Sequence, residues 1–122
     1  MGRKISYNRQ QVLSAMAQIF VKLGYEGTSL DDLVKASGLL RGSLYSAFGS
    51  KRGMFIEALK DCLVQKTNST LKLDLILVGL LELAPKDVTV RNLIAGWCQN
   101  LPQSEVTNLL GQRLLHRAGI KS

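Results

Sequence analysis

In the first half of the chain, apolar residues recur three and four positions apart, and the run is cut at short intervals by Gly24, Gly38 and Gly49. That spacing lines one face of an α-helix, so the glycines divide the segment into separate helices. Val12, Met16, Ile19, Phe20 and Leu23 predict a first helix over 8–23. Gly24 closes it, because glycine takes left-handed backbone without Cβ strain. Ser29 is placed to N-cap a second helix of about two turns, with Asp31 and Asp32 favourable at its positive end. Ser29-x-x-Asp32 has the form of a capping box with Asp in place of Glu. Leu30, Leu33 and Val34 continue that helix until Gly38.

Leu44 and Phe48 share a face of a third short helix over 41–48, whose remaining surface is small, polar or basic. Two short helices joined at a glycine-containing turn make a helix-turn-helix, whose second member lies in the DNA major groove. Ser50 can cap a fourth helix from Lys51 through Met54, Phe55, Ala58, Leu59, Cys62 and Leu63, expected to be strongly amphipathic. Polar residues 65–70 mark a joint. The dense apolar segment 71–84 ends at Pro85, and a further apolar face (Val90, Leu93, Ile94, Trp97, Leu101) ends at Pro102. Ser104 is expected to cap a last helix carrying Val106, Leu109, Leu110 and Leu114, with Arg113 and Arg117 near its negative end. No strand-like alternation is found. The expected fold is therefore all-α: an N-terminal three-helix helix-turn-helix domain (1–49), a linking helix (50–66) and a small helical C-terminal domain (67–122).

A chain of 122 residues fits one compact domain or two small interdependent ones, which argues against a large catalytic core. Its net charge of +7 favours a polyanionic partner. Residues 1–60 hold nine Lys/Arg against four Asp/Glu, net +5, and residues 61–122 seven against five, net +2, so the polyanion-facing half is the first. The two cysteines, Cys62 and Cys98, stand far apart among helix-like apolar positions, giving neither a disulfide framework nor zinc-ligand spacing. A reducing cytoplasm is the simple reading. The start MGRKISYNRQQ lacks the apolar core of a secretory signal. Met1-Gly2 through Ser6 meets a loose myristoylation pattern, but so short a match is frequent by chance, and an unmodified terminus is expected. Residues 75–84 are about half the length that spans a bilayer, so no membrane association is expected. His116 stands alone, with no Ser/His/Asp or Cys/His arrangement, phosphate loop or metal spacing; neither enzyme activity, cofactor nor metal is expected.

Residues 8–59 resemble the DNA-binding domain of the TetR/AcrR family of bacterial regulators. The likeness runs through Gly24-Tyr25-Glu26-Gly27-Thr28-Ser29-Leu30-Asp31-Asp32-Leu33 and again from Ala36-Ser37-Gly38 through Arg41-Gly42-Ser43-Leu44-Tyr45-Ser46-Ala47-Phe48-Gly49-Ser50-Lys51, in spacing as well as residue type. It implies a DNA-binding surface made of Thr28, Ser29, Leu40, Arg41, Gly42, Ser43, Tyr45, Ser46 and Lys51. In it the hydroxyls of Thr28 and Tyr45, and Lys51 at a helix N-terminus, would hold phosphates. Arg41 would fork onto guanine O6 and N7, while Gly42 permits close approach to the groove. Against each stands a plain alternative: Lys51 solvated, Gly42 neutral, Tyr45 covering the core. The chain departs from the family at Leu40, where a capping Ser or Thr is common, and at Ser46 and Ala47, where an aromatic and a His are common. Arg3, Lys4 and Arg9 would form a basic arm on the backbone or minor groove, or else a solubilising tail.

The resemblance further implies a dimer bound to a palindromic double-stranded operator, acting as a repressor and open to release by a small-molecule inducer. The C-terminal half is about half the family's usual length, so the chain is either a pared-down relative or lacks segments near 67–71 and 102–107. Trp97, Cys98, Cys62 and His116 are ligand-site candidates, with core packing as the alternative. Leu109, Leu110 and Leu114 are a candidate dimer stripe, with intrachain packing as theirs. The competing function is a truncated regulator, a non-enzymatic interaction protein with weak or non-specific DNA binding.

Overall fold

A computed structural model describes residues 7–121, so Arg3, Lys4 and the acylation pattern at the start of the chain lie outside the described residues. Among the described residues there are seven helices and no strand: α1 (Arg9–Leu23), α2 (Leu30–Ser37), α3 (Arg41–Phe48), α4 (Lys51–Val64), α5 (Thr70–Glu82), α6 (Val88–Gln99) and α7 (Gln103–Arg117). The fold is all-α with the helix-turn-helix at its N-terminal end, as the residue pattern required.

Most helix starts are capped by a side chain. Asn8, Ser29, Ser50 and Ser69 accept from the backbone N–H groups of Gln11, Asp32, Gly53 and Lys72, and Asp87 accepts from those of Thr89 and Val90. Each bond satisfies an amide that the helix itself leaves unpaired. Ser29 and Asp32 cap reciprocally, so Asp does serve in place of Glu. The last helix departs from expectation. Its first residue is Gln103, its cap position is Pro102 with no side-chain bond, and Ser104 lies inside the first turn. The Pro102 ring sets φ at −58° and leads the chain into the helix on its own. Between α2 and α3 the chain turns at Gly38, whose φ of +75° suits glycine far better than any residue with a Cβ.

Residues of both halves share one apolar cluster, running from Val12, Met16 and Phe20 through Leu33, Leu44, Phe55 and Leu59 to Leu75, Ile76, Val90 and Ile94. It crosses both expected domain boundaries. The expected one-faced character of α4 is corrected: it buries Met54, Phe55, Ile56, Ala58, Leu59 and Cys62, more than one stripe, because α1, α3, α5 and α6 all pack on it. α5 is buried continuously from Lys72 to Gly79, the condition of a helix enclosed by its neighbours.

Polar ties join the halves. The Glu82 carboxylate accepts from the backbone N–H of Tyr25 (3.1 Å) and Glu26 (2.9 Å), holding the turn after α1. Arg52 of α4 forks onto Asp87 at the start of α6, at 2.6 and 3.1 Å.

Candidate nucleic-acid interface

The eight residues of α3 divide cleanly by burial. Leu44 is fully buried and Phe48 8% exposed, whereas Arg41, Gly42, Tyr45, Ser46 and Ala47 face outward and Ser43 is half-buried at the edge. Leu44 and Phe48 are four apart and so share the anchoring side, which turns the residues between them towards solvent. Tyr45 keeps 47% of its surface exposed, so its ring does not cover the core. A Cβ added at Gly42 would meet nothing within 4 Å, leaving a flat approach beside Arg41.

Around that face the expected contacts divide. Ser29 is exposed; its hydroxyl oxygen accepts from Asp32, and its backbone N–H donates to Asp32 Oδ2 at 2.8 Å, holding that carboxyl below the usual carboxylate range. The Ser29 hydroxyl proton is left to donate outward. Leu40 is 78% exposed and its side chain makes no cap bond at the α3 N-terminus. Lys51 begins α4 with its ammonium 4.5 Å from the centre of the Tyr25 ring, which in turn stacks on Phe20 and meets Phe55 edge-on. A cation over an aromatic face is held in place yet keeps outward N–H donors.

Thr28 differs from the exposed residues of this face. It is 1% exposed, and its hydroxyl donates to the Gly24 carbonyl at 2.5 Å. The hydroxyl therefore closes the α1–α2 turn. Arg41 and Arg9 are exposed but not solitary. Arg41 pairs with Asp31 of α2. Arg9 pairs with Glu57 at 3.0 Å and lies 5.2 Å from the Phe48 ring centre, which ties it to α4 instead of leaving it in a free arm. Asp31 and Tyr25 were not among the expected site residues; nothing in their local sequence marks them, since both enter through partners on other elements.

The ligand-site candidates do not converge. Cys62 is in the core, where burial pushes its thiol up to about 11. Trp97 donates its indole N–H to Asn68 at 3.2 Å and walls an apolar groove of about 350 Å³ with Leu63, Val64 and Leu93. Cys98 lines a separate groove beside Leu101 and Val106, and His116 a third beside Leu73 and Leu109. Among the described residues no group of three His, Cys, Asp or Glu is placed to hold a metal, and no helix is long and apolar enough to cross a membrane.

Residues 12–58 match the bacterial regulatory proteins of the tetR family. The chain is similar to the HTH-type transcriptional regulator YezE of Bacillus subtilis (strain 168), 39% identical over 72 residues, covering 59% of this chain and 37% of that protein. It is also similar to the HTH-type transcriptional repressor ComR of Escherichia coli (strain K12), 41% identical over 54 residues, 44% of this chain and 26% of ComR. A third relative is IcaR, the negative transcriptional regulator of the biofilm operon icaADBC in Staphylococcus aureus (strain Newman), 32% identical over 54 residues, 44% of this chain and 29% of IcaR. The matched regions thus span less than two-fifths of each of these relatives. No solved structure gives a significant match.

Proposed function

We propose, from the premise that the N-terminal helices of this chain (residues 12–58) belong to the tetR family of bacterial regulatory proteins, that the protein binds double-stranded DNA sequence-specifically and regulates transcription. The observation that carries this reading is the outward face of α3. Leu44 and Phe48 fix the helix from inside, and Arg41, Gly42, Tyr45 and Ser46 face outward where a groove could receive them. Ser29, Leu40, Ser43 and Lys51 border that face. Tyr45, Lys51 and Ser29 would hold phosphates, and Arg41 would read a guanine. Thr28 supports this surface from behind. The names of ComR and IcaR favour repression over activation. A non-enzymatic, cytoplasmic regulator is the matching assignment.

One half-site is too small for high specificity, so the protein is assigned as a homodimer on a palindromic operator, its recognition helices about one turn of DNA apart. The surface favoured for pairing is α7. It contributes no fully buried residue, and beyond the half-buried Leu109 and Leu110 it leaves Leu114 45% and Leu115 41% exposed. The grooves at Trp97 and at Cys98, about 350 and 420 Å³, are the favoured places for a small inducer, since their sizes fall in the range of small-molecule sites, roughly 300–1,000 Å³. The uncapped, exposed Leu40 favours a second reading, a non-enzymatic interaction protein with weak or non-specific DNA binding. Binding to the duplex upstream of its own gene, against a scrambled duplex of equal length, separates the two as salt is raised. Specific regulation requires a steep loss of affinity with salt and a clear preference for one duplex. Tyr45→Ala and Lys51→Ala should weaken binding to both, whereas Arg41→Ala should mainly erase the preference. Equal binding to the two duplexes would establish the second reading.

A further inference from the structure

Asp31 has no part in the reading above, yet it stands beside the recognition face with its side chain 72% exposed. Helix α2 does not need it as a cap, because the neighbouring Asp32 already makes the reciprocal bond with Ser29. A carboxylate at a surface meant for phosphates repels them. Among the described residues its side chain pairs with Arg41: a terminal guanidinium nitrogen donates to Asp31 Oδ1, tying the first turn of α2 to the first turn of α3 across the Gly38 turn.

We propose that Asp31 is a specificity-determining positioning residue, which holds Arg41 aimed at a guanine and penalises duplexes that offer Arg41 no such base. The proposal rests on Arg41 being a base contact. A guanidinium carries five N–H donors in a planar fork, and one carboxylate oxygen on one terminal nitrogen leaves enough of them for guanine O6 and N7. Holding the long side chain in the free protein reduces the rotamer freedom it must give up on docking. The same negative charge weakens binding wherever Arg41 finds no acceptor pair, so the two effects widen the gap between right and wrong sequences together. The exposed pair contributes little to folding, so Asp31 can be replaced without unfolding the chain.

The test is selection of bound sequences from a pool of random-sequence duplexes by the full chain and its variants, with Arg41→Ala identifying the base position that Arg41 reads. Asp31→Ala should lower the preference for guanine at that position by about fivefold and raise affinity for a scrambled duplex by about threefold. Asp31→Asn, which loses the charge but keeps an oxygen acceptor, should retain part of the preference. In the Arg41→Ala background, Asp31→Ala should leave the base preferences unchanged, because the effect passes through Arg41. Melting temperatures equal to the parent's show the variants folded. If Asp31→Ala strengthens binding to every duplex alike and leaves the preference intact, Asp31 merely repels DNA and the inference is overturned while the DNA-binding reading stands. A parent protein with no base preference anywhere overturns both.

Discussion

Thr28 and Tyr45 both offer a hydroxyl within the same motif, and only burial separates them. Thr28 is enclosed and bonded to the Gly24 carbonyl, while Tyr45 is half open to solvent. Thr28→Val keeps the volume and removes the donor, leaving that carbonyl short of a partner, so unfolding in urea should show a loss of about 1–2 kcal/mol. The salt dependence of DNA binding should not move, because no phosphate contact is lost; a salt slope reduced by about one would put Thr28 on the DNA instead. Period alone located the outward positions, since Leu44 and Phe48 determine where Arg41 and Tyr45 point. The partners were illegible. Asp31 meets Arg41 from ten residues away, and Tyr25 reaches Lys51 across two helices; such contacts exist only once the turns around Gly24 and Gly38 have closed.

At the scale of helices, starts with a serine before a clear apolar period were readable, as Ser29 and Ser50 show, because their bonds are local. Ser104 misled for the same reason: a cap judged by residue type ignores the proline two positions earlier, which begins α7 sooner. Asp87 was missed because it follows Pro85 and Lys86 in what reads as a loop. In the fold it caps α6 and receives Arg52 from α4, and that hydrogen bond above all, with the backbone N–H of Val90 adding to it, holds its carboxyl down to about 2. An unfolded Asp titrates near about 3.9. A group whose pKa is depressed by folding stabilises the fold above its unfolded value and loses that contribution as pH falls through its folded value. The advantage of the parent over Asp87→Asn in urea unfolding should therefore hold constant from neutrality to about pH 4 and shrink between about pH 4 and pH 2. A gap that ignores pH across that window would mean Arg52 and Asp87 do not pair in solution.

For the whole molecule, the second half was the least legible, since the dense apolar run of α5 conceals two buried charges. Lys72 is 2% exposed and donates to the Gln65 carbonyl at 2.7 Å; burial pushes its ammonium below the usual lysine range. Asp74 accepts a fork from Arg113 at 2.8 and 3.2 Å and a longer contact from Arg117 at 3.4 Å, with only 8% of its side chain exposed. Arg117 also donates to the Val21 carbonyl at 3.1 Å, so one cluster binds α7 to both α5 and α1. Because α7 buries no residue fully, this cluster adds to the partly buried apolar packing of Val106, Leu109 and Leu110 in attaching it. Removing one partner of a buried ion pair strands the others, so Asp74→Ala should cost about 3 kcal/mol. The loss should be local. Amide hydrogen exchange should quicken through α7 while α1 to α4 keep their protection, since their core does not involve Asp74. Arg113→Ala should cost more than Arg117→Ala, the fork being better made and less exposed, 20% against 32%. If α7 pairs the protomers, Asp74→Ala must also weaken operator binding in proportion to the dimer lost, and raising protein concentration must restore it. Exchange that quickens equally in all seven helices would show instead that α7 unfolds only together with the rest, and that the shared core, not the Asp74 cluster, sets its stability.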